Sequence, residues 1–145
     1  MTLHLIKLCV GCDSIRDLEE WIAEKLAEKR KKKQPLEHIH RTRMMPTRKD
    51  ELVDGGSIYW VIRGQVASRQ KVLDIRPYTD KEGIKRCAIV LDPKVIPVTP
   101  RPSRPFQGWR YLRAKDAPAD LKRGSKGTAN LPEELRRELR ELGLL

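Results

Sequence analysis

Aromatic residues and long apolar runs are scarce in this sequence. Phe, Trp and Tyr make up only 5% of the 145 residues, so a core must be built mainly from Leu, Ile and Val. No segment approaches the roughly 18 uninterrupted apolar residues of a membrane-spanning helix. The opening residues, MTLHLIKLCVGC, lack the basic leader and the cleavage site of a signal peptide, and we expect them to form a buried strand.

Cysteine is also rare, and the number of cysteines is odd. Cys9, Cys12 and Cys87 are the three thiols of a chain that is long enough to fold without disulfides. We therefore expect free thiols and a cytoplasmic location. Cys9, Cys12, His38 and His40 are ligand types found in tetrahedral zinc sites. Because Cys9 lies in an apolar strand and the His-x-His spacing differs from that of zinc fingers, we predict neither a metal nor another cofactor.

The sequence lacks common motifs for nucleophilic catalysis and phosphate binding. It contains no G-x-S-x-G, no G-x-x-x-x-G-K-[ST] and no G-x-G-x-x-G. His38 and His40 remain as candidates for a general acid and base, as in ribonucleases that need no metal. Their neighbours Arg41 and Arg43 should point to the opposite face of the strand, because side chains alternate. The competing interpretation is that both histidines are structural or lie on the surface.

Acidic residues are outnumbered by basic ones. The chain has 31 Lys and Arg against 20 Asp and Glu, which gives a formal net charge of +11 and a pI near 9.9. Such an excess predicts attraction to polyanions, with nucleic acid first and an anionic membrane surface second.

A basic groove with aromatic side chains is the predicted ligand site. Arginine suits bidentate phosphate contacts and stacking on bases. Tyr59 and Tyr111 are candidate stacking faces, each worth about 1–3 kcal/mol per base, whereas Trp21 and Trp60 are assigned to the core. The predicted nucleic-acid contacts are Arg41, Arg43, Arg48, Tyr59, Arg63, Arg69, Trp109, Arg110, Tyr111, Arg113, Lys31, Lys32 and Lys33.

Glycine turns and strand-forming residues predict a β-hairpin at residues 54–77. Ile58, Trp60 and Ile62 share one parity, so this face of the first strand should meet a core. The parity of the apolar residues changes after Val72, which predicts either a bulge or a strand that is buried on different faces at its two ends, as in a small barrel. The Arg-Pro pair at the end of the hairpin is expected to break the sheet.

The remaining patterns complete a single α+β domain over residues 1–145. Strands dominate the middle of the chain, and the helices are set apart from them. We predict a small mixed β-barrel with a helix after the first strand and a second helix at the C-terminus. The predicted segments are strands at 3–10, 37–45, 86–91 and 95–98, helices from Ser14 and from Asn130, a proline-rich loop at 99–105 and a flexible basic loop at 122–129.

Three stretches resemble a known protein family. MTLHLIKLCVGCDSIRDLEEWI, HIHRTRMMPTRKDELVDGGSIYWVIRG and GWRYLRAKDAPADL identify the chain as a member of domain-of-unknown-function family 1489. The resemblance covers nearly the whole chain. Because the family has no assigned activity, it implies no catalytic residues.

A looser resemblance links the hairpin to the PUA-like superfamily, which includes the ASCH and EVE domains. DGGSIYWVIRG followed by QVASRQKVLDI is similar to the paired strands of those domains. The resemblance implies a small mixed β-barrel with a helix near the N-terminus, and binding of RNA or modified bases. Some ASCH-type members cleave RNA or hydrolyse amides. The ASCH signature G-x-K-x-x-E-x-R has no clear copy here, so no catalytic role is carried over.

These observations predict a protein that binds RNA. The groove would lie between the strand of Arg41 and Arg43, the hairpin and the arm at 106–113. One alternative is an enzyme that acts on RNA or nucleotides, with His38 or His40 as acid or base. Another is a basic adaptor for ribosomes or membranes, in which the cation clusters at 30–33 and 122–126 act only through their charge.

Overall fold

A computed structural model describes residues 2–104 and 106–121 of the chain. The predicted loop at 122–129 and the predicted C-terminal helix lie outside the described residues. The described part is mostly strand, with a long helix after the first strand, which confirms the α+β class. The elements are β1 (Leu3–Leu8), α1 (Ile15–Lys31), β2 (His38–Thr42), α2 (Lys49–Val53), β3 (Ser57–Ile62), β4 (Gln65–Thr79), β5 (Lys85–Leu91), β6 (Ile96–Pro102), β7 (Trp109–Arg113) and a short 3-10 helix (Ala114–Asp116).

Helix α1 begins with a capping arrangement that is local in the sequence. Oγ of Ser14 accepts a hydrogen bond from the Asp17 backbone N–H at 3.1 Å, and the Asp17 carboxylate accepts one from the Asp13 N–H at 3.0 Å. Basic residues occupy the last turn, where the helix dipole favours them. The buried residues of this helix are Ile15, Leu18 and Ile22.

The strands form an open, branched sheet. Hydrogen-bonded neighbours follow the order β2-β5-β4-β3-β1-β7, and β6 pairs with β4 outside this path. The pairing of β1 with β3 is parallel, and the other strand pairs are antiparallel. Within the described residues the end strands β2 and β7 do not pair with each other, so the sheet does not close into the predicted barrel. The sheet branches because β4 has three partner strands along its length.

Strand β4 contains the predicted bulge. Its register with β5 shifts between Val72 and Asp74, where the apolar parity changes, and the intervening Leu73 is 55% exposed. The Arg76–Pro77 pair does not break the sheet, contrary to the prediction, but remains paired with β5. Proline is tolerated there because this half of β4 pairs on one side only.

Strand β6 extends into the segment that the sequence predicts as a proline-rich loop. It runs from Ile96 to Pro102, so residues 99–102 are extended and the predicted loop begins too early. Strand β6 pairs with β4 and makes one isolated bridge, between Val98 and Asp120. Such a peripheral strand accommodates proline because few of its N–H groups are needed for pairing.

All six residues of β3 are buried. Ile58, Trp60 and Ile62 belong to the main core, which includes the apolar side of α1, as the alternation predicts. The opposite face is buried as well, because Tyr59 and Val61 pack in a second cluster with side chains of β4, β6 and β7. The strand is therefore central to two apolar layers.

Gly56, immediately before β3, provides a test of this packing. A Cβ at this position would overlap the carbonyl oxygens of Leu52 and Leu3, which belong to the backbone and cannot move aside. We expect Gly56→Ala to lower the free energy of unfolding by about 3 kcal/mol, measured by urea denaturation. Gly64→Asn is the control, since Gly64 has a φ of 77° and no atom near its virtual Cβ, and it should cost less than about 1 kcal/mol. Equal losses for the two variants would contradict this account.

Candidate functional site

A cavity of about 300 Å³ lies between α1 and the sheet. Lys7 of β1 and Trp60 of β3 are register partners and lie side by side in its wall. Asp17 and Trp21, one helical turn apart, line it from α1. The lining residues are Lys7, Leu8, Cys9, Val10, Gly11, Cys12, Asp17, Leu18, Trp21, His38, His40 and Trp60.

Two histidines of β2 line this cavity, and each meets a tryptophan edge-on. Ring centroids are 5.8 Å apart for Trp21 and His38, and 5.3 Å apart for Trp60 and His40. Burial, followed by the charge of nearby lysines, lowers the pKa of each histidine to about 4. Both imidazoles are therefore neutral at pH 7, and each has one donor and one acceptor nitrogen.

The polar groups of the cavity are not all used by the fold. Nε2 of His40 is buried and has no hydrogen-bond partner among the described residues. Such atoms are rare in folded proteins, because leaving them unpaired is unfavourable. Burial also lowers the pKa of Lys7, with a partly opposing effect from Cys9. A ligand with complementary polar atoms would satisfy the His40 nitrogen.

A second, basic recess of about 220 Å³ adjoins the cavity, and we call it the α1–β2 recess. Lys25 and Lys29 of α1 and its C-cap residue Lys32 recur at helical spacing, and Arg41 of β2 lines the same recess. Its walls also include Trp21 and His38, which line the cavity too. The remaining lining residues are Glu28, Gln34, Glu37 and Ile39.

The cations of the α1–β2 recess repel one another. Burial lowers the pKa of Lys29, and the charges of Arg41 and Lys25 lower it further, while Glu37 acts in the opposite direction. Glu37 is itself held by the Arg76 guanidinium through contacts of 3.1 and 3.0 Å. Within the described residues, none of the four recess cations forms an ion pair with a carboxylate. A bound anion would relieve the repulsion.

Cys9, Cys12, His38 and His40, the residues considered as zinc ligands, all line the cavity. Burial and a hydrogen bond with the Cys12 thiol raise the pKa of Cys9. No group of three or more Cys, His, Asp or Glu side chains in the described part of the chain is placed to hold a metal ion. The four side chains are therefore not arranged as a zinc site.

Comparison with known proteins gives a family but no activity. The model of the family described as "Protein of unknown function (DUF1489)" matches residues 5–145. The chain belongs to this family. The membership predicted from the sequence is thereby confirmed, and no curated protein matches the chain.

One solved structure is similar to this DUF1489 protein. It is a serine-to-alanine mutant of an ASCH protein from Zymomonas mobilis, with 11% identity and a TM-score of 0.47, over 78% of this chain and 90% of that one. None of the helices in residues 2–104 and 106–121 has the length and hydropathy of a membrane span.

The predicted arginine groove of this DUF1489 protein is divided in the structure. Arg41 and Lys32 line the α1–β2 recess, and Lys31 and Lys33 are exposed at the end of α1. Arg43 instead lines a separate recess beside β4 and β5. The structure thus places only part of the predicted set together.

The aromatic arm lies on β7, at the other end of the strand order from β2. Trp109 is 8% exposed and donates its indole N–H to the Met44 carbonyl at 2.8 Å. The Tyr111 hydroxyl accepts hydrogen bonds from the backbone N–H groups of Thr47 at 3.0 Å and Arg48 at 3.3 Å. These contacts hold the arm against the loop that follows β2, so the two aromatic residues have structural contacts.

The arginines near this arm lie apart from the α1–β2 recess. Arg48 pairs with the Glu51 carboxylate, with one contact of 2.9 Å. The Arg110 guanidinium lies 4.6 Å from the centre of the Phe106 ring. Arg113 and Arg48 line an open recess of their own.

Tyr59 and Arg69 are occupied by contacts within the protein. Tyr59 is 4% exposed, so its ring offers no stacking face for a base. Arg69 binds the Asp120 carboxylate through contacts of 2.7 and 2.8 Å, and this interaction lowers the pKa of Asp120. Arg63 lies 3.9 Å from the Asp13 carboxylate.

Sequence reasoning missed several residues that line the two recesses. The prediction that Trp21 is a core residue is wrong, because its side chain is 42% exposed. Lys25 and Lys29 follow it at intervals of four, and Lys25 Nζ lies 5.4 Å from the Trp21 ring. That spacing could have placed the three residues on one stripe. No sequence pattern marks Lys7 as a lining residue, because the cavity that it lines exists only in the folded chain.

The lowered pKa values of His38 and His40 predict a pH-dependent stability. The folded values are about 4, whereas the unfolded chain has values of about 6.5. Unfolded molecules therefore bind protons first, and stability that is complete at pH 7 is lost as the pH falls towards 4. Each histidine adds a slope of up to about 1.4 kcal/mol per pH unit in this window, measurable by urea denaturation. His40→Phe should have a shallower slope above pH 5, and an unchanged slope would refute this assignment.

Proposed function

We propose that this protein binds single-stranded RNA, with phosphates in the α1–β2 recess and one base in the adjoining cavity. The proposal rests on the wall that the α1–β2 recess and the cavity share. Trp21 and His38 line both spaces, so one nucleotide has access to both. Of the predicted groove, the strand of Arg41 is kept in this proposal, and α1 takes the place of the hairpin and the arm at 106–113.

The α1–β2 recess supports phosphate binding through its charge. Lys25, Lys32 and Arg41 are exposed, and Lys29 is partly buried among them. Burial lowers the pKa of Lys29, and the charges of Arg41 and Lys25 lower it further. Phosphate oxygens accept charge-assisted hydrogen bonds from both lysine and arginine, and arginine binds them through two parallel bonds.

The cavity supports base binding through its shape and lining. Its volume of about 300 Å³ is at the lower end of the range for small-molecule pockets. Trp21 and Trp60 provide apolar ring surface, and the neutral imidazoles provide donors and acceptors for the edge of a base. A base enters such a pocket only when it is unstacked, which favours single-stranded segments of RNA. The resemblance to PUA-like domains also favours RNA.

The phosphate contacts are tested by removing two cations from the recess. Lys32→Ala combined with Arg41→Ala should weaken binding of a fluorescent single-stranded RNA, measured by anisotropy at several salt concentrations. The slope of log K against log salt should decrease by about 1.4 in magnitude, since each phosphate contact on a single strand contributes about 0.7. Lys81→Ala combined with Lys94→Ala removes the same charge from exposed positions outside the recess and should change the slope little. Equal effects of the two pairs would favour the alternative of a basic adaptor without a specific site.

The base contact is tested separately at Trp21. Trp21→Ala should reduce RNA affinity by about 1–3 kcal/mol without changing the salt slope, because stacking releases no counterions. Trp21→Phe keeps an aromatic face and should retain most of the affinity. Since Trp21 is 42% exposed, neither variant should prevent folding, which thermal denaturation would confirm. Binding by Trp21→Ala that equals the wild type would exclude this base site.

A further inference from the structure

The turn Cys9–Cys12 forms part of the cavity wall and brings two thiols together. We propose that Cys9 and Cys12 form a reversible intramolecular disulfide, with a low-molecular-weight disulfide such as oxidised glutathione as the oxidant. We further propose that this bond weakens ligand binding in the cavity, and that second step rests on the proposed function. The pairing itself follows from the geometry of the turn.

The backbone between the cysteines has the form of a tight turn. The Cys12 N–H donates to the Cys9 carbonyl at 3.5 Å, and Gly11, the third residue, has a φ of 83°. A four-residue turn with a positive φ at its third position is typical of type II, in which the first and last Cα atoms are less than about 7 Å apart. Disulfides span Cα distances of about 4.4–6.8 Å. The turn therefore brings the two cysteines within bridging range.

The two thiols lie on one tight turn in the wall of the same cavity and are unequally accessible. Burial raises the pKa of Cys9, and an interaction with the Cys12 thiol raises it further. Cys9 is 8% exposed, whereas Cys12 is half-buried, and both line the cavity. The third cysteine, Cys87, is completely buried in β5 and does not line the cavity. Its position makes it an internal control.

The accessible thiol should react first. The Cys12 thiolate attacks one sulfur of the small disulfide, which forms a mixed disulfide and releases one thiol. The Cys9 thiolate then attacks Sγ of Cys12, which forms the internal bond and releases the second thiol. Two protein thiols are oxidised and one small disulfide is reduced to two thiols, so electrons and protons balance. Burial raises the pKa of Cys9 and should make the second step the slower one.

The new bond would alter the cavity wall. Both cysteines are free in the structure, and a disulfide would hold their sulfurs about 2.05 Å apart, so at least one sulfur must move. Both S–H donors disappear from the wall at the same time. We expect weaker binding of a base, with a loss of about fivefold in RNA affinity, the factor that corresponds to one neutral hydrogen bond.

Alkylation followed by intact mass spectrometry tests the disulfide without reference to RNA. After equilibration with oxidised glutathione, denaturation and iodoacetamide treatment, wild-type protein should show alkylation of one cysteine out of three. Dithiothreitol should restore all three. In oxidised Cys87→Ser, neither of the two remaining cysteines should be alkylated. Cys12→Ser should not form an internal bond. Wild-type protein that keeps three alkylated cysteines, or a mixture of glutathione adducts alone, would overturn the proposal.

Anisotropy with the same single-stranded RNA tests the effect on the cavity. Oxidation should lower the affinity of wild type and of Cys87→Ser about fivefold, the loss expected for one hydrogen bond. The same oxidation should not change the RNA affinity of Cys12→Ala, which has no Cys12 thiol to form the bond. If the disulfide forms but the affinity of wild type stays constant, the link to the cavity is wrong. If reduced wild-type protein binds no RNA, the proposed function is wrong. The alkylation experiment still shows whether the disulfide forms.

Discussion

Burial of β3 on both faces is the constraint on which the rest of the structure depends. The six residues of Ser57–Ile62 are buried, so the strand needs a layer on each side. Helix α1 supplies one layer and thereby encloses the cavity next to Trp60. Strand β1 runs parallel to β3, and the Cys9 N–H donates to the Val61 carbonyl at 2.9 Å. The turn with the two cysteines is thus anchored to the most buried strand of the sheet.

The electrostatics of the two adjoining spaces are linked through α1. Lys29 and Lys25 contribute to the lowered pKa of His38, and the same lysines line the α1–β2 recess. Burial is the main cause of the neutral His38 imidazole, and the positive charge of the recess lowers its pKa further. An anion in the recess would weaken this effect, and the pKa of His38 would then rise. Anion binding in the recess and protonation of His38 are therefore coupled.

Local patterns predict those features that depend on neighbouring residues. The cap of α1, the apolar face of β3 and the bulge near Val72 each follow from a few adjacent positions. The open sheet does not, because it depends on which strands β4 pairs with along its length. The basic run at 30–33 indicates the correct end of α1, but the recess also needs Arg41, which reaches it only through the tertiary position of β2. The exposure of Trp21 is different, because its spacing with Lys25 and Lys29 is a local signal that the apolar residues beside it in the sequence obscure.

Charge and cavity contribute different properties to the proposed interaction. A net charge of +11 attracts any polyanion, and this attraction alone does not separate RNA from DNA or from an anionic membrane. The cavity can discriminate, because it admits only a group that leaves solvent and matches the polar atoms of its wall. Since Trp21 and His38 belong to both spaces, a base in the cavity would fix where its phosphate lies. Selectivity would therefore arise from requiring both contacts at once, which neither a stacked duplex nor a lipid headgroup can satisfy.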